Sequence, residues 1–380
     1  MAPDPEPVLP DYGGACLPSL VPALLDREGP PPAWLPEPVQ GSRQVVLFVL
    51  DGLGWEQLRG RPHLAPTLAG MVGRPITTVA PSTTAAALTS ITTGLPPAAH
   101  GVMGYRVQVA RGEVMNVLRW TTTRGDARET VPPEKFQPHV AFANSGAPVV
   151  TRAEFATTGF TAAHLSGTRM HGWRVPSAMV VEVRRLLQHG EPFVYAYYDG
   201  VDKVAHERGF GEHYDAELAA ADRLVGDLAD ALPPGAVLVV TSDHGQVHVG
   251  ESVLTLDPEV SDGVELLSGE GRFRWLHARP GAAAGLLEEA RDRYGDVAWV
   301  RSRDELVEEG WFGARPAPEI ERRLGDVALV AFEPVAFFDP ADPGEARMVC
   351  RHGSLTPAES WVPLLALDPS TGRGWVSGRP

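Results

Sequence analysis

Val45-Val46-Leu47-Phe48-Val49-Leu50 is an apolar run with no polar interruption. A strand covered on one face alternates apolar with polar residues. An unbroken run must be covered on both faces, as a central parallel strand is. Phe193 to Tyr198 and Ala236 to Val240 repeat the pattern, and Val149-Val150 marks a further strand. Between these runs the apolar period lengthens to that of a helix. Ser177 to His189 carries an apolar stripe and stops at Gly190. His213 to Leu232 carries another, through Leu218, Leu224, Val225, Leu228 and Leu232. Core packing explains both stripes. The alternation of strand and helix predicts an α/β fold: a doubly wound, mostly parallel sheet sandwiched by helices.

From Gly250 the pattern changes. Phe273 to His277 reads as a strand, Ala282 to Tyr294 as a helix and Val297 to Arg301 as a strand. This predicts a small, lid-like α+β insertion over residues 250–342. The core domain then comprises 41–249 and 343–380, resuming near Met348 and finishing with a strand from Trp361 to Leu367. Residues 1–40 are proline-rich with one apolar stretch, Leu17 to Leu25, and form an N-terminal arm.

The residues that follow each strand bring in chemistry. Asp51 follows Leu50, and Asp243-His244 follow the run ending at Val240. Asp202 and His206 come soon after Tyr198, and their spacing puts both on one face of a helix. His352 adds an imidazole in a loop. Ligands in open α/β sheets bind outside the carboxyl ends of the strands. Carboxylate and neutral imidazole suit divalent ions, Zn²⁺ above all. Taken singly, each fragment has a plain structural explanation as a turn, cap or surface residue. Together, three carboxylates and three imidazoles suit two metal ions. Thr84, at the predicted start of a helix, is the candidate nucleophile. A threonine hydroxyl needs a metal or a base to activate it, and a helix N-terminus adds positive partial charge. The competing reading of Ser82, Thr83 and Thr84 is helix capping.

Composition narrows the partners. The formal net charge of -15 argues against a nucleic-acid surface or an anionic membrane, but not against a phosphate ester, since bound cations reverse the local sign. The N-terminus has no secretory pattern and no stretch is long enough for a membrane span. The two cysteines, Cys16 and Cys350, form no metal-spaced pair and no disulfide framework. A reducing, cytoplasmic setting is therefore expected.

In this order, Asp51, Thr84 running into Thr93-Gly94-Leu95, His100-Gly101, Asp202 with His206, Asp243-His244 and His352-Gly353 resemble the alkaline phosphatase superfamily. The branch is that of the type I phosphodiesterases and nucleotide pyrophosphatases. The resemblance spans Val45 to Leu367. It implies an alkaline phosphatase-like sandwich with two Zn²⁺ ions (Mn²⁺ as the alternative). Asp202, His206 and His352 would hold one ion, and Asp51, Asp243, His244 and Thr84 the other. It further implies hydrolysis through a phospho-threonine at Thr84, with a small-molecule ester, nucleotides included, as substrate.

One departure stands out. Related enzymes place an asparagine shortly after His-Gly to contact a phosphoryl oxygen. Here the segment reads Val102-Met103-Gly104-Tyr105-Arg106. Tyr105 or Arg106 would replace that contact, and an arginine there would favour a monoester over a diester. Lys203, between two ligands, faces either substrate or solvent. His100 is expected to orient its loop rather than bind metal. A phosphomonoesterase, a phosphomutase of the same superfamily and a catalytically idle binding protein stay open as alternatives. A sulfatase is disfavoured, because no formylglycine motif surrounds Thr84.

Overall fold

The computed structural model describes residues 5–26 and 29–369. Its main sheet has seven strands: β1 (Gln44–Leu50), β2 (Val72–Thr77), β3 (Pro148–Arg152), β4 (Arg169–Trp173), β5 (Phe193–Tyr198), β6 (Ala236–Thr241) and β7 (Trp361–Leu367). Their spatial order is β2-β7-β6-β1-β5-β3-β4. β7 runs against both its neighbours, and every other pairing is parallel.

The unbroken runs are explained by two cores, one on each face of the sheet. Val45, Leu47 and Val49 of β1 join Leu20 and Leu24 of α1 (Leu17–Leu25) and Ala86 of α2 (Thr84–Thr93). Val46, Phe48 and Leu50 join Met179 and Val183 of α3 (Pro176–Gln188) on the other side. That face also carries Leu218 and Leu228 of a longer helix, Glu212–Asp230. Each such side chain contributes on the order of 1.5–3 kcal/mol of burial. The predicted helices therefore lie where their stripes require.

Two edge-side strands, β2 and β4, have no apolar run to announce them. β2 carries Gly73 and Pro75, and β4 reads Arg169-Met170-His171-Gly172-Trp173. Strands at or near a sheet edge are free to be polar or broken, because one side of them faces solvent.

Within the segment read as an insertion, Val264–Glu270, Phe273–Ala278, Val327–Ala331 and Ala298–Ser302 form a second sheet in that order, antiparallel throughout. One face, with Phe273, Trp275 and Val330, belongs to the same hydrophobic cluster as β1. The other, with Leu276 and Leu329, packs on Leu286 and Ala290 of the helix Ala283–Tyr294. Trp275 and Trp311 are buried in this core, with Phe312 and Phe273 as ring neighbours. They are packing residues rather than a stacking platform. A small third sheet begins with Arg106–Ala110 and Glu113–Asn116. Among the described residues, no helix is long and apolar enough to cross a membrane.

Candidate active site

Register places the site. β5, β1 and β6 lie side by side and run the same way, with Leu50 opposite Tyr198 and Val49 opposite Thr241. The residues that leave these three strands therefore emerge together: Asp51 after β1, Asp202 after β5, and Asp243 with His244 after β6. Gly52 makes the turn at φ +73, and a Cβ there would come within 2.9 Å of Asp202 Cβ. Only glycine lets the first turn approach the second so closely.

Asp202 and His206 lie one turn apart on the helix Gly200–Arg208, with Asp202 Oδ1 3.2 Å from His206 Nε2. His352 enters from its loop and stacks its ring on His244, centroids 3.6 Å apart. The donor atoms of Asp51, Asp243 and His244 lie within 4.8 Å of one another, as do those of Asp202, His244 and His352. Five of the seven sequence-derived residues fall in these two groups; His206, expected with Asp202 and His352, is in neither and adjoins through Asp202, and Thr84 adjoins through His244. His244 belongs to both groups.

The three histidines, Asp51 and Asp243 are each held by one atom of the side chain. His206 Nδ1 donates to Cys350 O at 2.7 Å, His244 Nδ1 to Gly245 O at 3.0 Å, and His352 Nδ1 to Ser82 O at 3.0 Å. A carbonyl only accepts, so each Nδ1 carries a proton, and in the neutral ring Nε2 is the nitrogen left to bind a cation. Asp243 Oδ1 accepts from the backbone N–H groups of Gly52 and His244, both at 3.1 Å. Asp51 Oδ2 accepts from the Tyr197 hydroxyl. The remaining oxygens, Asp51 Oδ1 and Asp243 Oδ2, are buried without a hydrogen-bond partner. Bare buried carboxylate oxygens are costly unless something positive sits between them. The donor set and its orphaned atoms fit divalent cations.

The electrostatics agree. Burial, reinforced by Asp243 and Asp202, pushes the Asp51 carboxyl well above its usual range. Burial, with His244 and His206, holds the His352 imidazole well below its usual range. Burial acts to raise Asp202, but His206, His352 and His244 outweigh it and hold its carboxyl low. The same exchange raises His206 against the effect of burial.

Thr84 is the first residue of α2, and its Oγ1 lies 3.1 Å from His244 Nε2. The capping alternative fails. The N-cap Thr83 makes no side-chain capping bond, and the Ser82 hydroxyl donates to Ser354 O at 2.6 Å. The Thr84 hydroxyl is thus aimed at the ligand cluster. His100 accepts the Val102 N–H on Nδ1 and reaches Ser90 Oγ at 2.8 Å, which fixes its loop.

The substrate-facing candidates separate. Arg106 is buried in an ion pair with Asp339. Lys203 pairs with Asp199 at 2.5 Å, and Arg152 holds the same carboxylate at 2.6 Å. Tyr105 lines a cavity of about 250 Å³ together with Thr84, Asp202, His206 and His352. A second cavity of about 240 Å³ opens beside Asp51 and Thr84 and is walled by Leu88, Leu118, Phe155, Phe160, Leu165 and Tyr197.

Two supporting residues are not marked in the sequence: Tyr197, and Gln246, whose Nε2 donates to Asp202 Oδ1 at 2.6 Å. Tyr197 reads as one more apolar strand residue. Gln246, just beyond Asp243-His244, is visible only as a polar neighbour.

A doubly wound sheet with this acid–imidazole cluster at its carboxyl edge defines an alkaline phosphatase-like phosphoester hydrolase. Within that class the chain belongs to the type I phosphodiesterase / nucleotide pyrophosphatase family, whose sequence profile matches residues 45–355. It is a hydrolase of phosphodiester or pyrophosphate bonds. Solved structures with the same fold include murine ectonucleotide pyrophosphatase / phosphodiesterase 5, with TM-score 0.62 and 16% identity over 84% of this chain and 87% of that one. An inactive variant of the murine protein in complex with AMP gives TM-score 0.62 and 16% identity over 85% and 87%. The human protein gives TM-score 0.64 and 16% identity over 85% and 87%. No curated protein matches the chain.

Proposed function

We propose that the chain is a two-metal phosphodiesterase acting on nucleotide-like diesters or pyrophosphates through a phospho-threonine at Thr84. One observation carries the reading. Thr84 Oγ1 lies 3.1 Å from His244 Nε2, in a cluster where Asp51 Oδ1 and Asp243 Oδ2 are buried without a hydrogen-bond partner. Two divalent cations, zinc or manganese, would supply positive charge at the attacking and departing oxygens. Asp51, Asp243, His244 and Thr84 would hold one, and Asp202, His206 and His352 the other.

The chain's own residues do the rest. α2 presents Thr84 Oγ1 at its N-terminus, where helix N–H groups favour the developing negative charge. Oγ1 bonds to phosphorus as the bond to the departing alcohol or phosphate breaks. Water then displaces Oγ1 from phosphorus and restores the hydroxyl. The apolar cavity beside Thr84 suits an aromatic base, and the murine relative's complex with AMP supports a nucleotide as the substrate class. Arg106 is occupied by Asp339, so the argument it offered for a monoester lapses.

The test is hydrolysis of bis-p-nitrophenyl phosphate by zinc- or manganese-loaded protein. Thr84→Ala is expected to lower kcat by about three orders of magnitude or more. Monoesters cleaved far faster than diesters would replace this reading with a monoesterase.

A further inference from the structure

The segment after His100-Gly101 lacks the asparagine expected to donate to a phosphoryl oxygen, and Tyr105 and Arg106 stand in its place. Arg106 turns away: its guanidinium is buried against Asp339. Tyr105 lines the cavity that Thr84, Asp202, His206 and His352 also line.

The hydrogen-bond pattern around Tyr105 settles which way its proton points. Asn116 Oδ1 accepts the backbone N–H of Arg119 at 3.0 Å. An N–H can only donate, so this end of the Asn116 amide is the oxygen and the other end is the NH₂. That NH₂ donates to the Tyr105 phenol oxygen at 2.6 Å. The phenol is therefore an acceptor towards Asn116, and its own O–H remains to be donated elsewhere. Among the described residues no acceptor for it is present within hydrogen-bond distance.

We propose that the Tyr105 hydroxyl, oriented by Asn116, is the donor to a non-bridging phosphoryl oxygen of the substrate. This rests on the phosphodiesterase reading above and names the residue that takes the asparagine's place. A phenol is a neutral donor, so it adds a hydrogen bond without the extra positive charge that a dianionic monoester would exploit. Burial, with Asp342 nearby, pushes the Tyr105 phenol up to about 12, so the donor keeps its proton throughout the working range. Such a donor acts most strongly when charge builds on the phosphoryl oxygens in the transition state.

Tyr105→Phe removes the oxygen and keeps the ring. In metal-loaded protein, kcat for bis-p-nitrophenyl phosphate is expected to fall by about one to two orders of magnitude, with KM changed less than threefold. Asn116→Ala, which leaves the phenol in place but unoriented, is expected to show a smaller loss of the same kind. Metal content and thermal midpoint stay at the wild-type values. Calorimetric titration with orthovanadate, which mimics five-coordinate phosphorus, reads the contact without turnover. Its affinity is expected to weaken about tenfold in Tyr105→Phe. A Tyr105→Phe protein with activity within twofold of wild type, or with unchanged vanadate affinity, overturns the proposal. A wild-type protein that binds vanadate but cleaves no diester overturns the functional reading instead, and the vanadate comparison still decides the role of Tyr105.

Discussion

At the scale of single residues, Asp51 and Asp243 each have one anchored oxygen and one without a partner. Asp51 shows it most clearly, with Oδ2 held by Tyr197 and Oδ1 bare. Groups behind a metal ligand fix its orientation and typically change metal affinity 10- to 100-fold when removed. Tyr197→Phe is therefore expected to weaken zinc binding by about one to two orders of magnitude, read by competition with a chromogenic chelator. Unchanged affinity would mean that Asp51 is oriented by other contacts. The candidate ligands were legible as a cluster, because Asp and His at strand ends announce themselves by type and place. Tyr197 was not. It sits in an all-buried strand, and its hydroxyl gains a role only when Val49 lies opposite it and brings Asp51 within reach. That is a fact of pairing register, which local sequence does not carry.

At the scale of elements, the central strands and long helices were legible because their apolar periods allow one interpretation. β2 and β4 were not, since polar and glycine-bearing strands near an edge look like loops. The segment 250–342 showed its strands and helix, but not the means by which they attach. Arg272, at the tip of the hairpin between Val264–Glu270 and Phe273–Ala278, makes two bonds to Glu359, at 2.7 and 2.8 Å. Both residues are fully buried. Glu359 also accepts from Ser354 N at 3.0 Å, two residues beyond His352, so the clamp ties the second sheet to the loop carrying that candidate ligand. Removing one partner of a buried pair leaves the other charged in a dry interior, at a cost of about 3–5 kcal/mol. Arg272→Met is expected to lower stability by about that amount in a denaturant titration. A loss below about 1 kcal/mol would show that hydrophobic packing of the two sheets holds the segment without the clamp.

At the scale of the whole molecule, a chain with formal net charge -15 is proposed to bind an anionic ester. The two statements are compatible only if attraction is local. The proposed cations and the N-terminus of α2 would act over a few ångströms inside the chamber, while the surface acts over the Debye length. That length falls from about 30 Å at 0.01 M salt to about 8 Å at 0.15 M. At low salt the surface field therefore reaches well beyond the chamber and opposes the approach of an anion. Added salt screens this repulsion and hardly touches the buried contacts. For a singly charged diester, kcat/KM is then expected to rise severalfold between about 0.01 and 0.15 M sodium chloride, with kcat nearly constant. Steady-state kinetics at fixed free metal concentration read the sign directly. A fall in kcat/KM would mean that the cation cluster projects its field past the rim and steers the substrate in, so that the site rather than the surface governs encounter.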